Sequence, residues 1–120
     1  MEKLTHQEED VMLRVWKITP CYIKDIMATY EGEKPPYTTV ASVVKNLQRK
    51  KYVKAKQYGN TYQYTPLIDQ SEYKYDLMDH VMKNYFNNSF KGLVSYFAKE
   101  QKISPKELED IAKMIDKGKE

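Results

Sequence analysis

Tyr37-Thr38-Thr39-Val40-Ala41-Ser42-Val43-Val44-Lys45-Asn46-Leu47-Gln48-Arg49 decides the reading of this chain. Val40, Val43, Val44 and Leu47 fall at i, i+3, i+4 and i+7, the spacing of a helix with one buried stripe. The opposite face carries Thr39, Ser42, Lys45, Asn46 and Arg49. Hydroxyl and amide side chains beside cations suit a helix lying in the major groove of DNA. Thr39, Ser42 and Asn46 reach base edges from that position, while Thr38, Lys45, Arg49, Lys50 and Lys51 take phosphates. The whole stretch from Tyr37 to Pro66 contains no Asp or Glu.

After Lys51 the period changes. Val53, Ala55 and Gln57 alternate with Lys54 and Lys56, as in a half-exposed strand. Gly59-Asn60 supplies a turn, Tyr62-Gln63-Tyr64-Thr65 returns, and Pro66 ends the hairpin. Lys54 and Lys56 join the phosphate-binding set. Tyr62 and Tyr64 are expected to pack on the first helix.

Upstream, Thr5 and Glu8 have the spacing of a capping box, opening a helix that buries Val11, Met12, Val15 and Trp16. Pro20 breaks it. A short helix over about Tyr22–Tyr30 follows, with Gly32 as its C′ residue and Pro35-Pro36 as a stiff connector. Three helices and a hairpin wing make a winged helix-turn-helix over residues 1–68.

The remainder, 69–120, reads as three helices. The first covers about Gln70–Phe86, with Tyr73, Leu77, Val81 and Phe86 on its apolar positions. The second covers about Phe90–Gln101, with Leu93, Val94 and Phe97. The third is opened by Ser104-Pro105-Lys106-Glu107 and carries Leu108, Ile111 and Ile115, ending at Lys117-Gly118-Lys119. About 50 residues enclose little core alone. A second copy is the natural cover, so this part is predicted to be a homodimerisation domain. A dimer presents two recognition helices to half-sites ~34 Å apart. The fold class is therefore mainly α.

Charge agrees with this division. The chain carries +3 overall. Residues 1–66 hold 11 Lys+Arg against 7 Asp+Glu, or +4, and residues 67–120 hold 9 against 10, or −1. A polyanion is expected to dock on the first half. Cys21 is the single cysteine, so no internal disulfide forms and a cytoplasmic location is expected. No apolar run approaches the ~20 residues of a membrane span, and direct membrane binding is not expected. His6 and His80 lack metal-ligand spacing. No nucleophile–base constellation or phosphate-binding glycine loop appears, so neither catalysis nor a cofactor is expected.

The chain resembles the penicillinase repressor family (BlaI/MecI-type, with the copper-responsive CopY-type repressors as relatives). The resemblance rests on Leu4-Thr5 with Glu8, Met12 and Trp16, on Thr38-Thr39-Val40 with Leu47 and Lys50, and on Tyr62, Tyr64 and Pro66. In the tail it rests on Phe90, Leu93-Val94, Ile103-Ser104 and Glu107-Leu108. It implies a dimeric repressor of an antibiotic-resistance operon that reads a palindromic operator. The family's base-contacting hydroxyls correspond to Thr39 and Ser42, and Ala41 stands where its recognition helix can carry Arg. The resemblance also implies a membrane-anchored sensor protease as partner. The family's scissile Asn-Phe bond aligns with Tyr96-Phe97, where Phe is kept and Asn is not. The cysteine-rich tail of the copper branch has no counterpart here. Two other readings remain open at this point: a winged-helix adaptor for protein partners, and a repressor released by a small ligand held among the aromatic rings of the tail.

Overall fold

The computed structural model describes residues 1–118. The elements run α1 (His6–Ile18), α2 (Ile23–Ala28), α3 (Tyr37–Arg49), β1 (Val53–Tyr58), β2 (Thr61–Pro66), α4 (Gln70–Tyr85), α5 (Phe90–Lys99) and α6 (Pro105–Gly118). Lys119, expected at the end of the last helix, lies outside the described residues. The fold is mainly helical with one antiparallel hairpin, a winged helix-turn-helix followed by helices. It divides into two units, Met1–Tyr73 and the chain from Lys74 onward.

In the first unit, α1 begins as a complete capping box. The Glu8 amide donates to Thr5 Oγ1 at 3.1 Å, and the Thr5 amide donates to Glu8 Oε1 at 2.9 Å. Val11, Met12 and Val15 of α1 are buried together with Val40, Val43, Val44 and Leu47 of α3. Leu4, Cys21, Ile26, Tyr52, Val53 and Tyr64 complete this core. Each fully buried Val or Leu contributes roughly 1.5–3 kcal/mol relative to exposure, so these seven side chains decide which way α3 faces.

α2 is shorter than expected. Tyr22 is its N-cap, and its amide donates to Asp25 Oδ2 at 2.8 Å. At the other end the Thr29 hydroxyl donates to the Ile26 carbonyl at 2.6 Å, which competes with continuation of the helix. Gly32 has φ +77° but stands in the turn beyond the helix, not at C′.

β1 and β2 pair with Ala55 opposite Tyr64 and Gln57 opposite Tyr62. Gly59 takes φ +59° to lead the two-residue loop, a conformation that disfavours side chains. Cys21 adds a third, single-residue partner: its amide donates to the Tyr64 carbonyl at 3.0 Å, and the Tyr64 amide donates back at 2.7 Å. The thiol is fully buried, and burial followed by the charge of Asp25 pushes it up to about 11. It is a packed thiol without thiolate character. Tyr64 enters the core as expected. Tyr62 does not; it is exposed on the hairpin, next to the turn.

Tyr73 also departs from expectation. The periodicity of the fourth helix puts it with the dimer surface, whereas it belongs to the first unit. Its ring lies 5.4 Å from that of Trp16 and 6.0 Å from that of Tyr52, and its hydroxyl donates to Glu9. Trp16 Nε1 donates to the Ile68 carbonyl at 2.9 Å. The first turn of α4 is thus part of the winged-helix core.

In the second unit, α4 ends where Asn87 and Asn88 take left-handed φ of 49° and 60°, and the Asn88 amide reaches the Met82 carbonyl at 2.9 Å. Ser89 caps α5 through the Gly92 amide at 2.9 Å. Ser104 and Glu107 form a capping box for α6. Among the described residues of this unit, Met82 is the one buried apolar side chain. Leu77, Phe97, Leu108, Ile111 and Ile115 are exposed, and Val81, Phe86, Leu93 and Val94 are half-buried.

Burial alone would raise the Glu8 carboxyl. The Lys50 ammonium and the Thr5 amide and hydroxyl outweigh it and hold the group below its ordinary 4.5. A depressed carboxylate contributes stability above its unfolded pKa and loses it as pH falls through the folded one. The urea unfolding midpoint is therefore expected to fall as pH drops through and below the ordinary carboxylate range, with a flatter dependence in Glu8→Gln. Identical pH dependence in the two proteins would contradict the assignment.

Candidate nucleic-acid interface

The face of α3 opposite its buried stripe is open. Thr38, Ser42, Lys45 and Arg49 are exposed, and Thr39, Ala41 and Asn46 are half-buried along one or other edge. Pro36 is the N-cap and offers no side-chain hydrogen bond, so the first turn starts without an acidic cap. Lys51 follows the helix with φ +67°, and the Tyr52 amide closes the end on the Leu47 carbonyl at 2.9 Å. That closure turns the chain directly into β1. Lys54 and Lys56 then project from the hairpin face opposite Val53 and Ala55, and both are exposed. Lys56 Nζ sits 5.2 Å from the Tyr58 ring centroid.

Lys50 must be removed from the phosphate-binding set. Its ammonium donates to Glu8 Oε1 at 2.6 Å and to the Lys3 carbonyl at 3.0 Å, with Glu2 3.8 Å away. The Lys50 and Glu8 side chains are only 9% and 6% exposed. A signal for this was present in the chain. Lys50 stands three residues after Leu47 and seven after Val43, so it continues the inward stripe. Tyr37, exposed on the first turn of α3, carries no role in the sequence reading, and Tyr62, expected against the first helix, is exposed on the wing.

Among the described residues no three His, Cys, Asp or Glu side chains cluster so as to hold a metal ion. No described helix is long and apolar enough to cross a membrane. The surface offers hydroxyls, amides and cations on one helix and a following ribbon, which is equipment for binding a polyanion.

The model of the penicillinase repressor family matches residues 4–117. The chain belongs to the penicillinase repressor family. The methicillin resistance regulatory protein MecI of Staphylococcus aureus strain N315 is 21% identical over 116 residues, covering 96% of this chain and 94% of that one. The MecI protein of Mammaliicoccus sciuri is 23% identical over 79 residues, 66% of this chain and 64% of its own. Among solved structures, a MarR protein from Peptoclostridium difficile superposes with a TM-score of 0.48 at 16% identity, over 97% of this chain and 69% of that one. BpsR of Bordetella bronchiseptica, whose DNA binding is regulated by 6-hydroxynicotinic acid, gives 0.48 at 17%, over 98% and 76%. As a penicillinase repressor relative, the chain is a transcriptional regulator whose partner is DNA.

Lys50→Ala leaves a buried carboxylate without its cation and is expected to cost ~3 kcal/mol of unfolding free energy. Lys45→Ala, fully outside the core, should stay within ~0.5 kcal/mol of the parent. Chemical denaturation of both variants checks this; equal stability would place Lys50 among the free cations after all.

Proposed function

We propose that the chain is a homodimeric repressor of the bacterial cytoplasm that reads a palindromic operator with α3. Thr39, Ser42 and Asn46 contact bases. Thr38, Lys45, Arg49, Lys51, Lys54 and Lys56 hold the sugar-phosphate backbone. The observation that carries this reading is the outward face of α3 and its hairpin, which combines exposed cations and hydroxyls with no acidic residue from Tyr37 to Pro66.

Residues 1–68 are the DNA-binding domain in this reading, and 69–120 close the dimer. Support for the second part is the apolar surface that one chain leaves uncovered. Leu77, Phe97, Leu108, Ile111 and Ile115 are 46%, 40%, 36%, 44% and 58% exposed. α6 places Leu108, Ile111 and Ile115 at i, i+3 and i+7, one stripe along an otherwise charged helix. A matching stripe on a second copy covers it at no cost in polar groups. Tyr73 has no part in that surface, because its ring is used within the first unit.

Release follows the mode of the family: a membrane-anchored sensor protease cuts within the second unit. Tyr96 and Phe97 are 53% and 40% exposed, and their bond lies inside α5. Cleavage there first requires α5 to open locally. The relatives named as methicillin resistance regulators make an antibiotic-resistance operon the proposed target.

Genome-wide recovery of bound fragments defines the operator on which the contacts are tested. Ser42→Ala is expected to relax discrimination at one operator position by ~1–3 kcal/mol. Lys45→Ala should weaken cognate and random duplex alike and flatten the salt slope. The parent slope of log K against log[salt] is expected between about −5 and −9. Identical behaviour of the two variants on both duplexes would overturn the division of roles.

A further inference from the structure

A half-open cavity of about 470 Å³ lies between the wing's turn and the starts of α2 and α3. Tyr22, Ile23, Tyr37, Tyr62 and Tyr64 line it together with the polar turn residues Asn60 and Thr61, and Lys24 is the single charged lining residue. The volume falls within the range of small-molecule sites, as does the mixture of aromatic wall and few polar groups. The phenols converge: burial first, then the neighbouring Tyr37 and Tyr62 hydroxyls, push the Tyr64 hydroxyl up. Lys24 Nζ stands 5.9 Å from the Tyr22 ring centroid and makes no ion pair among the described residues. Asp25, next along α2, is occupied by the Tyr22 amide.

A DNA strand is a poor occupant. Register puts Tyr62 and Tyr64 on the hairpin face shared with Val53 and Ala55, whereas Lys54 and Lys56 leave by the opposite face. A phosphate seat places its cations on its own side. This cavity instead combines several ring faces with one ammonium, the complement of a flat ring bearing one negative charge.

We propose that the cavity binds a planar aromatic carboxylate, its ring among the tyrosines and its carboxylate at Lys24, and that occupancy weakens DNA binding. The second half rests on the DNA reading above. Tyr37 begins α3 and Tyr62 belongs to the wing, so the ligand touches both elements that flank the duplex and adds negative charge beside them.

Benzoate serves as the probe, with benzyl alcohol as its neutral counterpart and acetate as its ring-free one. Tyrosine ring-proton shifts of the full chain are followed without DNA. Benzoate is expected to saturate one site and to bind about tenfold tighter than benzyl alcohol or acetate. Lys24→Met should abolish the preference for benzoate over benzyl alcohol, and Tyr62→Ala should weaken both. Both side chains are exposed, so the variants keep the fold, which circular dichroism checks. Saturating benzoate should then lower affinity for duplex DNA severalfold in the parent and leave Lys24→Met unaffected.

No saturable benzoate binding, or binding that survives both substitutions, overturns the site. Benzoate binding with unchanged duplex affinity overturns the regulatory half. Loss of duplex binding in both variants without benzoate uptake would make the cavity a seat for the DNA backbone and end the proposal. A ligand-free parent that binds no duplex at low salt contradicts the DNA reading, while the benzoate titration still decides the cavity.

Discussion

Glu8 places one carboxylate oxygen between the Thr5 amide at 2.9 Å and the Lys50 ammonium at 2.6 Å, inside the first unit. The pair joins the beginning of α1 to the end of α3. Such a buried pair need not add net stability, since desolvation offsets much of the attraction. What it adds is orientation, because either charge left alone is costly. With this end of the α1–α3 contact fixed, Val40, Val43, Val44 and Leu47 are buried with the α1 stripe, and the hydroxyl and cationic face of α3 is turned outward.

The same constraint sorts the cations. Lys50 is used in holding α3, and Lys45, Arg49, Lys51, Lys54 and Lys56 remain at the surface. Glu8 is neutralised internally, so its charge does not oppose the polyanion-binding face. The second unit has the reverse character. It contributes little positive field and a large uncovered apolar surface, which suits assembly rather than DNA contact. In the proposed reading, DNA affinity and pairing draw on separate stretches of sequence.

Local pattern disclosed most of the architecture. The stripe of α3, the Thr5–Glu8 and Ser104–Glu107 boxes and the alternation of Val53–Gln57 each involve neighbours within a few residues, where helix and strand periods apply. The contacts that local pattern did not reveal share a different origin. Lys50 finds Glu8 across 42 residues, Trp16 finds Ile68 across 52, and Tyr73 finds Glu9 across 64. Cys21 finds Tyr64 by pairing a lone extended residue with the wing. None of these contacts leaves a periodic trace. The candidate site was legible as a surface, because exposure of Ser42, Lys45 and Arg49 follows from the stripe beneath them. Membership of the surface at its edge was not legible, since a lysine at a helix end suits solvent and a buried carboxylate equally well. The tyrosine cavity was hidden for the same reason, its walls coming from three separated elements.

The central claim is that two copies of an acid-free helix face are presented together to one duplex. Hydroxyl-radical footprinting on a fragment recovered with the protein tests it most directly. The account predicts two protected stretches on one face of the DNA, centred about one helical turn, or ~34 Å, apart. A single protected stretch, or uniform cleavage at saturating protein and low salt, would contradict it.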